Sequence, residues 1–277
     1  MLDQIIKNAL LEDIGEGDHS TLACVPENAF GAAKLLVKED GILAGVEVAK
    51  RIYQLYDPKV EITIYKNDGD RVSKGDLAFV VTGSSRSILT TERLVLNFMQ
   101  RMSGIATQTS QILKVIEGCQ TKLLDTRKTT PGIRYLEKWA VKIGGGENHR
   151  FGLYDLIMLK DNHIDYAGGI AKAIQKTKEY LIKNKKSLGI IVEVRNIEEL
   201  NEAIQEGGIT RIMLDNFKPT ELKEALKIIP KQIETEASGG INLENIRLYA
   251  ETGVQFISVG ALTHSVKSMD LSLKAML

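Results

Sequence analysis

Between Asp125 and His163 the chain sets Arg127, Lys128, His149, Arg150, Lys160 and His163 beside glycine-rich turns. Three runs carry them: Asp125-Thr126-Arg127-Lys128-Thr129-Thr130-Pro131-Gly132, Gly144-Gly145-Gly146-Glu147-Asn148-His149-Arg150, and Lys160-Asp161-Asn162-His163. Arg127 offers a planar fork that matches a carboxylate, and Lys128 offers a point charge. Glycines let backbone come close to a ligand, and His149-Arg150 adds two potential anion ligands next to the triglycine. Lys160 has two readings, a Schiff-base nucleophile or an anion ligand. His163 by itself reads as a structural hydrogen bonder. Cations on loops that follow short apolar runs suit a small carboxylated or phosphorylated metabolite.

Further along, carboxylates and glycines recur at the ends of apolar runs. Glu193 follows Ile190-Ile191-Val192, and Asp215 follows Ile212-Met213-Leu214. Carboxylates on neighbouring strand ends can share a Mg²⁺ held mainly through substrate phosphates and water, and can stabilise a developing cation. Ser238-Gly239-Gly240 and Val259-Gly260-Ala261 end the last two apolar runs ahead of helices, a pattern suited to phosphate. The stretch Val60 to Asp76 has a hairpin pattern like that of biotinyl and lipoyl carrier domains. It lacks the carrier lysine flanked by methionine and reads as a structural turn.

The elements that must position these residues fall into two textures. Up to about residue 105 helices mix with short strands: apolar residues at helical spacing over 2–12, strands at 32–37, 60–65 and 77–82, a helix within 41–56, and a long helix from about 87 to 102. Ser103-Gly104 ends or bends that helix, and 106–116 continues helical. From about Lys122, short apolar strands alternate with helices. Expected strands are 122–124, 140–143, 156–159, 189–194, 211–214, 233–237 and 255–259. Expected helices are 132–138, 169–184, 197–206, 219–228 and 243–252. Interleaving of this kind implies parallel βαβ units, in an open doubly wound sheet or a barrel. A barrel is favoured, because polar residues follow nearly every strand and a barrel brings all strand ends to one mouth. A last helix over 266–277 is expected to pack back on the first domain, giving domains 1–105 and 106–265.

Composition narrows the class. The chain has 277 residues, 43% hydrophobic, with 36 basic against 36 acidic side chains, which argues against a nucleic-acid binder. Cys24 and Cys119 lack metal-ligand spacing and read as reduced thiols of a cytoplasmic protein. The start, Met1 to Lys7, reads as an amphipathic helix rather than a signal peptide, and no apolar run approaches the ~20 residues of a membrane span.

Taken together, these runs resemble one family, quinolinate phosphoribosyltransferase, also called nicotinate-nucleotide pyrophosphorylase (carboxylating). Asp-Thr-Arg-Lys-Thr, Gly-Gly-Gly-Glu-Asn-His-Arg and Lys-Asp-Asn-His, in that order and spacing, are the specific part. The resemblance extends from Glu12-Asp13-Ile14-Gly15 through Gly41-Ile42-Leu43-Ala44-Gly45, Thr91-Glu92-Arg93 and Ser103 to Thr107, to Glu193-Val194, Leu214-Asp215-Asn216, Ser238-Gly239-Gly240 and Val259 to Ser265. It implies an N-terminal α/β sandwich and a C-terminal incomplete α/β barrel of about seven strands. It implies phosphoribosyl transfer from phosphoribosyl pyrophosphate to quinolinate with loss of carbon dioxide, dependent on Mg²⁺ at Glu193 and Asp215. Lys128, Lys160, Glu193 and Asp215 are then the expected catalytic residues, with Lys160 an anion ligand. Arg127, His149, Arg150 and Lys160 are expected on quinolinate, and Ser238, Gly239, Gly240, Gly260 and Ala261 on the 5′-phosphate. The resemblance also implies a homodimer or an assembly of dimers, with Arg93 reaching in from the neighbouring subunit. The rival readings are a transferase with nicotinate as acceptor, a barrel aldolase using Lys160, and a phosphometabolite-binding protein without turnover.

Overall fold

The structure, a computed structural model, describes residues 1–276. In chain order the elements are α1 (Leu2–Ile14), α2 (His19–Cys24), β1 (Phe30–Val37), β2 (Gly41–Ile42), α3 (Val46–Tyr56), β3 (Glu61–Ile64), β4 (Arg71–Val72), β5 (Leu77–Ser84) and α4 (Ser85–Val115). There follow β6 (Lys122–Leu124), α5 (Arg134–Ile143), β7 (Ile157–Leu159), α6 (Asp161–Ala167), α7 (Ile170–Lys183), β8 (Ile190–Val194), α8 (Ile197–Glu206) and β9 (Arg211–Asp215). The chain ends through α9 (Pro219–Ile228), β10 (Glu234–Ser238), α10 (Ile246–Ala250), β11 (Phe256–Ser258), α11 (Ala261–His264) and β12 (Leu271–Met276). Two compact units form. Unit 1 holds Met1–Gln111, Lys128–Gly146 and the segment from Leu262; unit 2 holds Ile112–Arg127 and Glu147–Ala261.

Unit 1 is built on an antiparallel sheet in the order β12-β1-β5-β3. One face is buried: Leu35 lies opposite Phe79 and Ala33 opposite Val81, all buried, while Lys34 points the other way. That alternation is what an antiparallel sheet with one covered face requires. α3 starts at Gly45 (φ 97°), where a side chain would press on the Met99 backbone of α4. The Asp68 carboxylate accepts from the Val46 amide at 2.8 Å, satisfying one of that helix's open donors. α4 runs unbroken for 31 residues. Ser103-Gly104 does not end it, because the Ser103 hydroxyl is occupied by Ala44, accepting from its amide at 2.9 Å and donating to its carbonyl at 3.0 Å.

Two expected elements come out differently. Residues 271–276 form a strand, not a helix. Leu271 and Leu273 are buried and Ser272 and Lys274 are not, a period of two that fits the open edge of β1, where Leu35 pairs with Leu273. Residues 140–143 are the last turn of α5. Leu136, Glu137, Ala140 and Val141 form one buried helical face, so the short apolar run belongs to a longer 3.6-residue pattern. Residues 128–146 belong to unit 1.

Unit 2 is a parallel sheet in the order β6-β11-β10-β9-β8-β7, six strands among the described residues rather than seven, since 140–143 is helical. From β7 to β11 each strand sits beside its predecessor, and the last, β11, pairs with β6, the first. A doubly wound sheet would reverse direction once; this one winds one way and returns to its start. It is therefore a barrel left open at the seam between β6 and β7. Met158, Ile191 and Met213 meet as an apolar layer on one face of β7, β8 and β9.

Candidate active site

Strand periodicity carries that apolar layer straight to the polar rim. Two residues beyond Met158, Ile191 and Met213 stand Lys160, Glu193 and Asp215, on the same face and at the C-terminal strand ends. Lys160 Nζ lies 2.8 Å from Glu193 Oε2; the lysine side chain is half-exposed and the glutamate buried. The Lys160 amide donates to His163 Nδ1 at 3.1 Å, so His163 fixes the start of α6.

On β9 and β10, Asp215 and Ser238 stand in register. Asp215 Oδ1 accepts from the Ser238 hydroxyl at 2.6 Å, and Oδ2 accepts from Asn216 Nδ2 at 2.6 Å. Asn216 has φ 58°, the left-handed region that few residues other than glycine and asparagine tolerate, and its amide donates to the Ser238 carbonyl at 2.9 Å. Gly239 (φ 88°) must be glycine for a second reason: a Cβ there would collide with the Asn216 side chain. The turn Gly239-Gly240 and the turn Gly260-Ala261 follow neighbouring strands, β10 and β11.

Beyond β6, the adjacent strand, Asp125 is fully buried. Its carboxylate accepts from the His149 amide at 2.8 Å and from Asn148 Nδ2 at 2.6 Å. A parallel bridge between Leu124 and Glu147 fastens the same loop. Arg127 and Arg150 are both half-buried in this corner. Burial, and then the neighbouring Arg127 charge, pull Arg150 below the ordinary arginine range, against a smaller opposing effect of Asp155. Arg150 Nη1 donates to the Leu156 carbonyl at 3.2 Å. His149 Nδ1 accepts the Arg150 amide at 2.7 Å, so that ring nitrogen faces the loop as an acceptor.

The rim of unit 2 thus gathers Arg127, His149, Arg150, Lys160, Glu193, Asp215, Ser238, Gly239, Gly240, Gly260 and Ala261. Lys128 and Arg93 belong to unit 1. Lys128 is exposed and its carbonyl accepts from the Thr263 hydroxyl at 2.8 Å. The next turn is held by Glu137, which takes the Thr130 amide, the Thr130 hydroxyl and the Arg101 guanidinium. Arg93 lies exposed on α4. Gly144 and Gly146 are buried, and side chains there would strike Ala106 and Thr109 of α4.

Sequence reading missed Asp125 as the clasp of the His149 loop, Asn216 as the partner of Asp215, and the pairing of buried Glu236 with half-buried Arg211. The one available signal for Glu236 was the polar alternation Glu234, Glu236, Ser238 in a strand otherwise expected to be apolar.

Comparison with known proteins agrees over the whole chain. Residues 18–103 match the N-terminal domain of quinolinate phosphoribosyl transferase and 105–274 match its C-terminal domain. The chain is 46% identical to a mitochondrial quinolinate phosphoribosyltransferase [decarboxylating] of Nicotiana tabacum, covering 99% of this chain and 82% of the relative. It is 44% identical to a probable nicotinate-nucleotide pyrophosphorylase [carboxylating] of Bacillus subtilis, covering 98% and 92%. The crystal structure of NadC from Streptococcus pyogenes superposes with a TM-score of 0.93 at 39% identity, over 100% of this chain and 97% of that one. Human nicotinic acid phosphoribosyltransferase, at 10% identity and a TM-score of 0.65, over 98% of this chain and 73% of that one, shares the fold alone. Two matching domain models, and relatives this similar over nearly the full length, place the chain in the quinolinate phosphoribosyltransferase family.

Proposed function

We propose that the unit 2 rim transfers the phosphoribosyl group of phosphoribosyl pyrophosphate to quinolinate, with decarboxylation to nicotinate mononucleotide, pyrophosphate and carbon dioxide, as a step of NAD biosynthesis. The observation that carries this reading is the crowding of Arg150 by Arg127 in a half-buried corner. Two guanidiniums that repel each other are relieved by a ligand with two adjacent carboxylates. Nicotinate, with one carboxylate, would leave a desolvated cation without its anion and bind less well.

The other residues divide the remaining chemistry. Lys160 is half-exposed and able to move from Glu193 to an incoming anion. The turns 238–240 and 260–261 suit the 5′-phosphate through backbone N–H groups, as glycine turns at barrel strand ends commonly do. Glu193 and Asp215 favour the oxocarbenium-like transition state by their charge. Once the ring nitrogen is ribosylated it is positive and stabilises the electron pair that the breaking carboxylate bond leaves on the adjacent ring carbon; carbon dioxide departs without a Schiff base, and that carbon then takes a proton from water.

Among the described residues no cluster of three or more His, Cys, Asp or Glu side chains could hold a metal alone. Glu193 and Asp215 offer only oxygens, a donor set that fits Mg²⁺ completed by substrate oxygens and water. A bound Mg²⁺ supplies charge neutralisation of the departing pyrophosphate. Lys128 is read as a catalytic cation and Arg93 as a residue contributed across a homodimer interface. Mixing Arg93→Ala with Lys160→Ala subunits should restore activity that neither has alone. A cytoplasmic location is part of the same reading, and no described helix is long and apolar enough to cross a membrane. The Nicotiana tabacum relative is named mitochondrial, so a fluorescent fusion decides this point.

The test is a product assay with Mg²⁺, phosphoribosyl pyrophosphate and either quinolinate or nicotinate. Product and carbon dioxide from quinolinate alone are expected. Product from nicotinate without carbon dioxide keeps the transferase and overturns the acceptor. A borohydride-trapped adduct on Lys160 with a carbonyl substrate would favour the aldolase instead.

A further inference from the structure

Glu236 is fully buried, and no step of the proposed reaction uses it. It stands in register with Met213, one layer beneath the Asp215–Ser238 pair. Its Oε2 accepts from Arg211 Nη1 at 2.9 Å and faces His149 Nε2 at 3.4 Å. Arg211 is secured independently: it reaches Glu234 Oε2 through Nε at 2.9 Å and Nη2 at 2.7 Å, and lies over the Phe256 ring at 3.9 Å. Burial pushes the Glu236 carboxyl up, but His149 and Arg211 outweigh it and hold it below the usual range. A charge kept in the middle of a barrel is costly unless something needs it there.

What it meets is the ring that supports Arg150. Because His149 Nδ1 accepts the Arg150 amide at 2.7 Å, the ring proton resides on Nε2, the nitrogen that faces Glu236. Asp125 holds the His149 amide from the other side. We propose that Glu236 is a positioning residue for dianion recognition: it fixes His149 as the Nε2–H tautomer, and His149 Nδ1 in turn fixes the Arg150 amide and so the approach of the Arg150 guanidinium to the ligand. The histidine is then a strut between barrel interior and loop. The anion half of this inference rests on the function proposed above; the tautomer does not.

The experiment joins long-range ¹H–¹⁵N spectra of protein labelled on its four histidines with steady-state kinetics. His149 is assigned by the signal lost in His149→Gln. In the native chain its ring nitrogens should be fully separated, Nδ1 bare and Nε2 protonated. In Glu236→Gln, where the amide can turn either way, the two shifts should average, and KM for quinolinate should rise roughly tenfold while kcat changes less than about threefold. Glu234→Gln, which removes the outer partner of Arg211 and leaves His149 untouched, should change neither. A native ring that is averaged or protonated on Nδ1 overturns the proposal, as does an unchanged KM in Glu236→Gln. If Glu236→Gln does not fold, the native spectrum still decides the tautomer. If no chain makes product, the reaction is lost while the ring assignment stands or falls separately.

Discussion

Asn216 is the residue on which the Asp215 corner of the rim turns. It occupies the left-handed region, clasps Asp215 Oδ2 at 2.6 Å, and blocks any side chain at Gly239. Asparagine tolerates that backbone; alanine there costs ~1 kcal/mol or more, and glycine costs no such strain. Asn216→Gly should therefore melt higher than Asn216→Ala, while both lose the hydrogen bond that orients Asp215 and lower kcat roughly tenfold. Equal melting of the two would mean that backbone strain at this position is not felt. Glu236 makes a second prediction at this scale. Its folded-state pKa is depressed, so the stability it contributes is present above the unfolded glutamate value of about 4.3 and is lost as pH falls through the lower folded value. Denaturant melts of native chain and Glu236→Gln across pH 2–6, a window set around ~4.3, should converge towards the acid end. A constant gap would show that the charge is not the source of the difference.

At the scale of elements, α4 gives the sharpest test. Glycine in a helix interior is usually worth replacing, since alanine gains about 1 kcal/mol in propensity. At Gly104, however, a Cβ would run into the backbone carbonyl of Lys267, which cannot swing aside as a flexible side chain could. Overpacking of that kind costs roughly 1–3 kcal/mol, so Gly104→Ala should lower the urea midpoint, and a raised midpoint would show that the 266–270 segment yields. Such close approaches explain why some elements were legible and others were not. α8 was read to its ends, because an apolar helical face begins after Asn196, whose side chain caps Glu199. The barrel strands were readable as short apolar runs, since parallel strands are covered on both faces. The C-terminal strand was not, because six residues of Leu, Ser, Lys, Ala and Met favour neither state until the edge of β1 is known. The candidate site divides the same way. Polar residues at strand ends stand out locally, whereas Asp125 against the His149 loop and Glu236 against His149 depend on register between distant segments.

For the whole molecule the decisive fact is that its charges cancel, 36 against 36, while Arg127 and Arg150 share one half-buried corner of unit 2. On the function proposed above, attraction of an anion is local, not a property of a basic surface, and it should discriminate by the number of carboxylates rather than by charge in general. The cost of crowding Arg127 and Arg150 is carried by the folded state alone, because the unfolded chain lets them separate. A ligand that relieves this crowding must stabilise folding by mass action, about 2.7 kcal/mol at a hundredfold excess over its Kd. For a chain of this size each kcal/mol moves the melting midpoint by roughly 2–4 °C. Quinolinate at saturation should therefore raise the midpoint by several degrees, with nicotinate at equal concentration raising it far less and sulfate serving as the control for ionic strength. In Arg150→Lys the shift with quinolinate should shrink, since a point charge replaces the planar fork and the two cations can part. Equal shifts from quinolinate, nicotinate and sulfate would mean that the rim answers to charge alone, and the two-carboxylate basis for the acceptor would fall with it.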